Sequence, residues 1–599
     1  MSKGTVAEIH NLINENQLAA DIANMWTSMD SQRSAWKAQT RETRSYIFAT
    51  DTSTTQNNKL PWKNSTTLPK LCQIRDNLHA NYMAALFPND AWLRWEAYTQ
   101  DAADKSKKDA IEAYMANKLR LFNFQDTVSR LLYDYIDYGN VFADSEYVKK
   151  FGEGEDGDEV IAQGPRALRR SPYDVIFNLL ASSFDESYQV IRHIKTIGEM
   201  HKELKENPDS GYLQEVLDDQ VRLRQDLAAF SAPEIDKATG ITIDGFGSFS
   251  EYLQSDYVEL FEFRGSIHDK VNDEFLENYV ITVIDRTKVF RKEPMPSWFA
   301  KSSMVHGGWR YRPDNLYAMG PLDNLIGMQY RIDHLENIKA DLFDLIAQPP
   351  LKIRGMVEDF DWEPFAQIIV GEDGDVEVLK VDAVALQADT EIALLEAKME
   401  EFAGAPKQAI GQRTPGEKTA FEVNVLEQNS SKMFIEKVVA FEINVVEPLL
   451  NNMLESARRH LDGTDVVGVM DTDLGVEEFL DISRDDLLAR GKIRPIGARH
   501  FAIRAQQVQN YMGFRTLFGQ DPGVMNHISG LSEAEMFEDL LGFEKFELVR
   551  PNIRLEEMAE SQKLVNQLTK QVEEEAVTPV DEDEAAVQAE ELGQEGEQF

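Results

Sequence analysis

Cysteine is almost missing from this chain: Cys72 is the only one in 599 residues, which excludes an intrachain disulfide and fits synthesis in a reducing compartment. Cys72 falls in an apolar helical pattern and reads as a small buried hydrophobe, with a reactive thiol as the lesser alternative. Long hydrophobic runs are missing too. No stretch approaches the roughly 20 consecutive apolar residues of a membrane span, and Met1-Ser2-Lys3-Gly4 leads into a polar helix without a signal core. The expectation is a soluble protein made in the cytosol. Positive charge is scarce: 62 Lys and Arg face 104 Asp and Glu, a net charge of −42 with a pI near 4.6. Such a surface disfavours tight binding of a phosphate backbone, so any nucleic-acid contact must be local or weak. What remains is ample for real cores, with 42% hydrophobic and 10% aromatic residues. The length suggests about four domains.

Ile9, Ile13, Leu18, Ile22, Trp26 and Trp36 keep helical spacing to about Phe48, and a Thr- and Asn-rich loop follows from Thr52 to Lys59. Leu71, Ile74, Leu78, Tyr82, Met83, Leu86 and Phe87 fit one helix face, which Pro88 stops. A third helix is predicted from about Lys105 to Tyr138, ended by Gly139-Asn140, a pair suited to the left-handed helix cap. Short strands are then predicted at Val141 to Tyr147, Val190 to Thr196, Tyr257 to Gly265 and Tyr279 to Ile284, with a charged helix near Leu213 to Ala229. This middle reads as a mixed α+β body.

The order of elements after Gly320 is the strongest signal. Pro321 suits a helix start, and Leu325, Met328, Ile332, Leu335, Ile338, Leu342 and Leu345 follow at intervals of three or four. Running to about Ile346, this helix would be roughly 39 Å long before Pro349-Pro350 ends it. Its apolar stripe is narrow, and its flanks carry Arg331, Asp333, Lys339 and Asp341, as expected of a helix packed along a seam with one face in water. Strands are expected at Leu351 to Ile353 and Val376 to Val381, around the acidic turn Gly371-Glu372-Asp373-Gly374. A second helix, Val384 to Phe402, returns with Ile392, Leu394, Leu395 and Met399. The polar loop Ala403 to Lys418 carries Lys407, Gln408, Gln412, Arg413 and Lys418. Thr419 to Leu461 then reads as one long helix, kinked at Pro448. Together these describe a rod with a folded tip inserted into a larger body. After Lys570, acidic runs occur without one Lys or Arg, so residues 571–599 are expected to be disordered.

Several strings stand out: Pro61-Trp62; Leu86-Phe87-Pro88-Asn89-Asp90-Ala91-Trp92-Leu93-Arg94; Tyr138-Gly139-Asn140-Val141; Tyr317 to Leu325; and Gly416-Glu417-Lys418-Thr419-Ala420-Phe421-Glu422-Val423. In these strings and their order the chain resembles the portal proteins, or head-to-tail connectors, of tailed bacteriophages, most of all those of short-tailed phages, from about residue 40 to 515. The resemblance implies a predominantly helical α+β fold assembling as a ring, a dodecamer in the family. It implies a wing over 1–320, stem helices over 321–346 and 384–402, a clip over 347–383 and a tunnel loop over 403–418. The wing's long helix and return would cover 419–495, and a helical crown 496–570. It further implies a virion protein, assembled in the host cytoplasm, that passes double-stranded DNA through a channel by weak, non-specific contact. Implied partners are a terminase motor, major capsid and scaffolding proteins, and tail adaptor proteins, with no membrane and no cofactor. Leu325, Met328, Ile332, Leu335, Ile338 and Leu342 would pack the stem. Lys407, Gln408, Gln412, Arg413 and Lys418 would be the tunnel-loop positions facing DNA; solvated loop charges are the competing reading of the cations. Twelve copies would carry roughly −500, a channel that repels the duplex and lets it slide.

Enzyme motifs fare poorly on the same residues. Gly411 to Thr419 comes close to a phosphate-binding loop, but Glu417 separates Gly416 from Lys418 and puts a carboxylate where phosphate oxygens would lie. His306-Gly307-Gly308 resembles an oxyanion-hole string, yet no nucleophile elbow accompanies it. The acidic runs at 153–158 and 372–375 lack the ligand spacing of a calcium loop and read as hairpin turns. His334-Leu335-Glu336 lacks the second His of a zinc helix. Arg166, Arg169 and Arg170 form the one compact basic patch and read as a subunit ion-pair surface before a DNA reader. The sequence therefore reads as a non-enzymatic portal subunit. The alternatives are an acidic metal-dependent nucleic-acid enzyme, whose carboxylates converge only in the fold, and a non-viral helical scaffold.

Overall fold

The computed structural model describes residues 6–48, 66–88, 92–98, 107–154, 157–206, 210–230, 256–270, 272–347, 349–355, 374–379, 388–403, 433–461, 463–470 and 477–497, with single positions at 511 and 534. Of the described residues 49% are helical and 30% lie in strands, so the fold is mixed α+β and the expected predominance of helix is corrected.

Helices α1 (Val6–Gln32) and α2 (Ser34–Ile47) divide the expected N-terminal helix at Arg33. The Arg33 guanidinium is buried there, donating to the carbonyls of Pro172 at 2.7 Å and Val175 at 2.8 Å and to the Asp30 carboxylate at 2.9 Å. Helix α3 (Lys70–Leu86) and strand β1 (Leu93–Ala97) follow. The single helix predicted from Lys105 to Tyr138 is two, α4 (Lys108–Leu121) and α5 (Phe124–Asp137). Asn123 separates them in the left-handed region at φ 49°, which turns the chain so that both helices bury their apolar stripes.

Strands β2 (Asn140–Gly154) and β3 (Gly157–Arg170) form one long hairpin, paired from Phe142↔Arg170 to Gly154↔Gly157, so Glu153 and Asp158 of the acidic run pair next to the hairpin end, as expected. Then come β4 (Val175–Phe177), β5 (Gln189–Thr196), α6 (Ile197–Glu206), α7 (Gln214–Phe230), β6 (Tyr257–Asp269), β7 (Glu274–Ile284) and β8 (Lys288–Pro294). Strands β4 to β8 make an antiparallel sheet in sequence order. Alternation along β6 assigns its two faces. Phe261 and Phe263 pack against Leu18, Ile22 and Trp26 of α1, and Val258 and Leu260 pack with Met200 of α6 and Leu217 of α7.

Short strands β9 (Val305–Gly308), β10 (Arg310–Arg312) and β11 (Asn315–Met319) lead to α8 (Ile326–Ala347), the hairpin β12 (Leu351–Arg354) and β13 (Asp375–Val378), and α9 (Asp389–Ala403). The predicted start of α8 at Pro321 is corrected: residues 321–325 form turns, with the Gly320 N–H on the Asp323 carboxylate at 2.9 Å and Leu322 and Leu325 fully buried. The helical run 433–460, here α10, contains a π-helical segment at Glu442–Val446. It directly precedes Pro448, whose missing N–H removes a rung of the α-ladder, so the expected disturbance appears as a widened turn. Strands β14 (Thr464–Met470) and β15 (Glu477–Ser483) pair, α11 (Arg484–Leu487) follows, and β16 (Gly491–Pro495) returns to pair with β1.

The largest core joins α3, α4, α5, the feet of α8 and α9, and α10. The chain divides into two compact units, Met1–Val469 with Glu477–Ala502, and Met470–Val476 with Ile503–Phe599. Of the second unit only Met470, Tyr511 and Ala534 are described. The expected tunnel loop from residue 404, the crown beyond residue 497 except for Tyr511 and Ala534, and the tail at 571–599 therefore lie outside the described residues.

Candidate functional site

Two of the singled-out strings meet in space just before α8. Gly139 has φ +67°, and a side-chain carbon there would lie 2.3 Å from the Gly320 nitrogen, so these backbones touch directly. Asn140 completes the joint: its amide donates to the carbonyls of Tyr138 at 3.0 Å and Ala318 at 2.9 Å, and its oxygen accepts the Ala318 N–H at 2.9 Å. The string from Leu86 to Arg94 is structural as well. Phe87 meets Trp92 edge-on at 4.9 Å, Trp92 stacks on Phe124, and Leu93 and Arg94 begin β1.

Above this joint, α8 carries a row that sequence reading missed. Gln329, Asp333 and Asn337 recur every four residues and are all buried, facing the extended stretch 66–69 and the first residues of α3. Asn337 pairs with Thr66 both ways, accepting its N–H at 2.7 Å and donating to its carbonyl at 3.0 Å. Asp333 accepts the Leu68 N–H at 3.0 Å, and Gln329 accepts the Leu71 N–H at 3.2 Å and donates to the Leu68 carbonyl at 2.6 Å. Asp333, expected in water, is thus a buried group. Lys70 extends the grip to α9 through a buried ion pair with Glu400 at 2.6 Å. Arg331 with Glu391 at 3.2 Å and Lys339 with Asp389 at 2.7 Å bridge α8 to α9 at the surface.

The expected stem seam divides in two. Leu325 and Ile332 are fully buried, Met328 and Leu335 pack half-buried on the same core, and Ile392 and Met399 meet them from α9. That half is consumed within the chain. Ile338 and Leu342 are half-buried, and no residue of α8 beyond Asn337 is buried. Phe343 is 51% exposed, Leu345 43% and Ile346 42%, with Leu394 and Phe402 of α9 and Ile353 of β12 also exposed. Phe343 and Ile346 lie off the predicted stripe, which is why they were not expected to matter.

Other sequence candidates resolve differently. Arg169 grips Asp134 at 2.6 and 2.7 Å, Arg170 holds Asp144 at 3.0 Å, and Arg166 pairs with Glu146. The basic patch therefore pairs with carboxylates of its own chain. His306-Gly307-Gly308 is β9. Burial pushes the His306 imidazole down to about 3, so it is neutral, and its Nε2–H donates to the Asn140 oxygen at 3.2 Å. A carbon added to Gly307 would strike Val445 at 2.3 Å, so this glycine lets β9 lie against the π segment of α10, while one added to Gly308 would strike Ala318 at 2.6 Å. Cys72 is half-exposed, not buried, since the apolar face of α3 turns Leu71 inward instead; partial burial and then Asp76 push its thiol up. Lys407, Gln408, Gln412, Arg413 and Lys418 lie outside the described residues.

A cleft of about 590 Å³ opens between the sheet body and α10, lined by residues including Phe184, Phe299, Tyr311, Asn444 and Arg459. Arg459 is already tied to the Pro296 carbonyl at 2.5 Å, and the Glu455 carboxylate accepts the Trp298 N–H at 2.7 Å. Among the described residues no group of three or more His, Cys, Asp or Glu is placed to hold a metal ion, and no helix is long and apolar enough to cross a membrane. No protein-family model matches the chain, and no curated protein matches it either.

Proposed function

We propose that this chain is the subunit of a ring, a phage portal at one capsid vertex through which double-stranded DNA is packaged and ejected. The observation that carries the reading is the divided helix pair. The foot of α8 is fastened to its own chain by a buried polar row, an ion pair to α9 and a backbone joint, and its far half then offers Phe343, Leu345 and Ile346 to solvent. Exposed aliphatic and aromatic side chains clustered on a firmly rooted projection mark a contact surface. A neighbouring copy beside each rod would cover them. The sheet body and α10 then serve as the wing, and terminase, capsid and tail proteins as partners in turn. The tunnel-loop contacts with DNA rest on the sequence resemblance.

Native mass measurement of the full chain tests this. We expect a ring of about twelve copies with an axial channel in negative stain. Leu345→Glu combined with Leu394→Glu should release monomers of unchanged circular dichroism, because both positions are exposed in the single chain and a charge there harms only the intermolecular contact. Leu335 is unsuitable for that purpose, since it packs on the chain's own core. A wild-type monomer or dimer, or rings indifferent to the double substitution, would overturn the reading.

A further inference from the structure

Asp333 is 8% exposed, and its Oδ2 has no hydrogen-bond partner. Its other oxygen is fully used, accepting the Leu68 N–H at 3.0 Å and the Gln329 amide at 2.9 Å. A buried ionised carboxylate with one bare oxygen is costly unless a cation stands nearby. Among the described residues the charged and titratable groups around it supply none. On α2 the neighbours are Glu42 and Tyr46, whose hydroxyl is pushed up by its own burial and then by Asp333. At the start of α3 Lys70 is committed to Glu400 of α9 at 2.6 Å. On α8 itself Arg331 pairs outward with Glu391 at 3.2 Å, and Tyr330 and His334 complete the surroundings.

The three rungs differ in kind. Gln329 and Asn337 are neutral amides whose hydrogen bonds do not depend on pH, and they flank the single titratable rung. The segment they hold, 66–71, is an extended stretch over 66–69 that runs into the first two residues of α3, and it touches both α8 and α9, so its attachment decides how firmly that helix pair is coupled to α3.

We propose that residues 66–71 are a releasable strap on α8 and that the proton on Asp333 is its latch: protonated, the carboxyl closes the strap, and ionised, it loosens it. Protonation places hydrogen on the bare Oδ2 and leaves Oδ1 accepting from Leu68, so no rung is lost and the buried charge disappears. The direction follows from burial, which raises the Asp333 carboxyl to about 6. A carboxyl raised in the closed form gives grip that is complete below its ordinary value near 3.9 and is lost as pH rises through about 6. At neutral pH the strap is held chiefly by its two amides and by Lys70. The inference does not depend on what the assembled protein carries.

Hydrogen exchange of the full-length chain, corrected for the intrinsic pH dependence of exchange, reads the latch at the Leu68 and Leu71 amides. Protection of residues 66–71 should fall by up to about 100-fold between pH 4 and pH 8, the ratio set by a shift of about two units. Asp333→Asn should flatten that dependence without changing protection in α5. Asn337→Ala keeps the titrating rung and should lower protection at every pH with the slope retained, a check that stands if Asp333→Asn does not fold. A wild-type strap with pH-independent protection, or a slope that survives Asp333→Asn or vanishes in Asn337→Ala, would overturn the proposal.

Discussion

Single residues set the geometry at the root of the rod, and Gly139 is the most exacting of them. It combines a left-handed φ of +67° with backbone atoms of Met319 and Gly320 where a side chain would begin, so neither strain nor contact can be relieved by a rotamer change. Gly139→Ala should therefore destabilise the fold by about 3 kcal/mol or more. Gly198, with nothing within 4 Å of an added carbon, provides the control, and Gly198→Ala should change stability by less than about 1 kcal/mol. Urea denaturation followed by circular dichroism measures both; similar midpoints for the two variants would show that the Gly139–Gly320 approach is not needed. Sequence alone marked Gly139-Asn140 as a helix end. It could not show the second use, the contact with Gly320, because nothing local in either string points to the other.

At the level of elements, legibility followed periodicity. The helices α3 and α8 and the core of α9 were readable because apolar residues recur at helical spacing on the face that meets a core, and the strands β5 to β7 because they are short apolar runs between turns, β6 and β7 being buried on both faces. What failed was punctuation without glycine or proline. Asn123 divides α4 from α5 inside an unbroken apolar stripe, and Arg33 divides α1 from α2 by satisfying carbonyls from distant strands. The polar row on α8 was missed for a related reason: Gln, Asp and Asn at four-residue spacing look solvated until an extended segment is laid across them. The α4–α5 break yields a test. Asn123→Ala should cost about 1 kcal/mol, since alanine pays the full penalty of the left-handed region, whereas Asn123→Gly should stay within about 0.5 kcal/mol of wild type. Equal unfolding midpoints for Ala and Gly would mean that the two helices can fuse.

For the whole molecule the governing quantity is charge. A chain at −42 repels its copies, so an assembly of them must be held by contacts that do not depend on attraction between opposite charges. If the exposed side chains of α8 and α9 provide them, raising NaCl from 50 to 500 mM should favour the ring by screening repulsion over a Debye length of about 10 Å or less. Mass photometry across that range gives the answer, and dissociation at high salt would instead point to ion pairs between copies. The strand pair β1–β16 has a consequence in time. Leu93–Ala97 finds its partner in Gly491–Pro495, so at roughly 5–20 residues per second a ribosome works for about 20–80 s between making one and the other. During that interval Trp92 and Trp95, both buried in the finished fold, have no final site and β1 offers an unpaired edge beside its siblings on the same message. Where many copies are translated close together, this strand is a place at which nascent chains are exposed to one another.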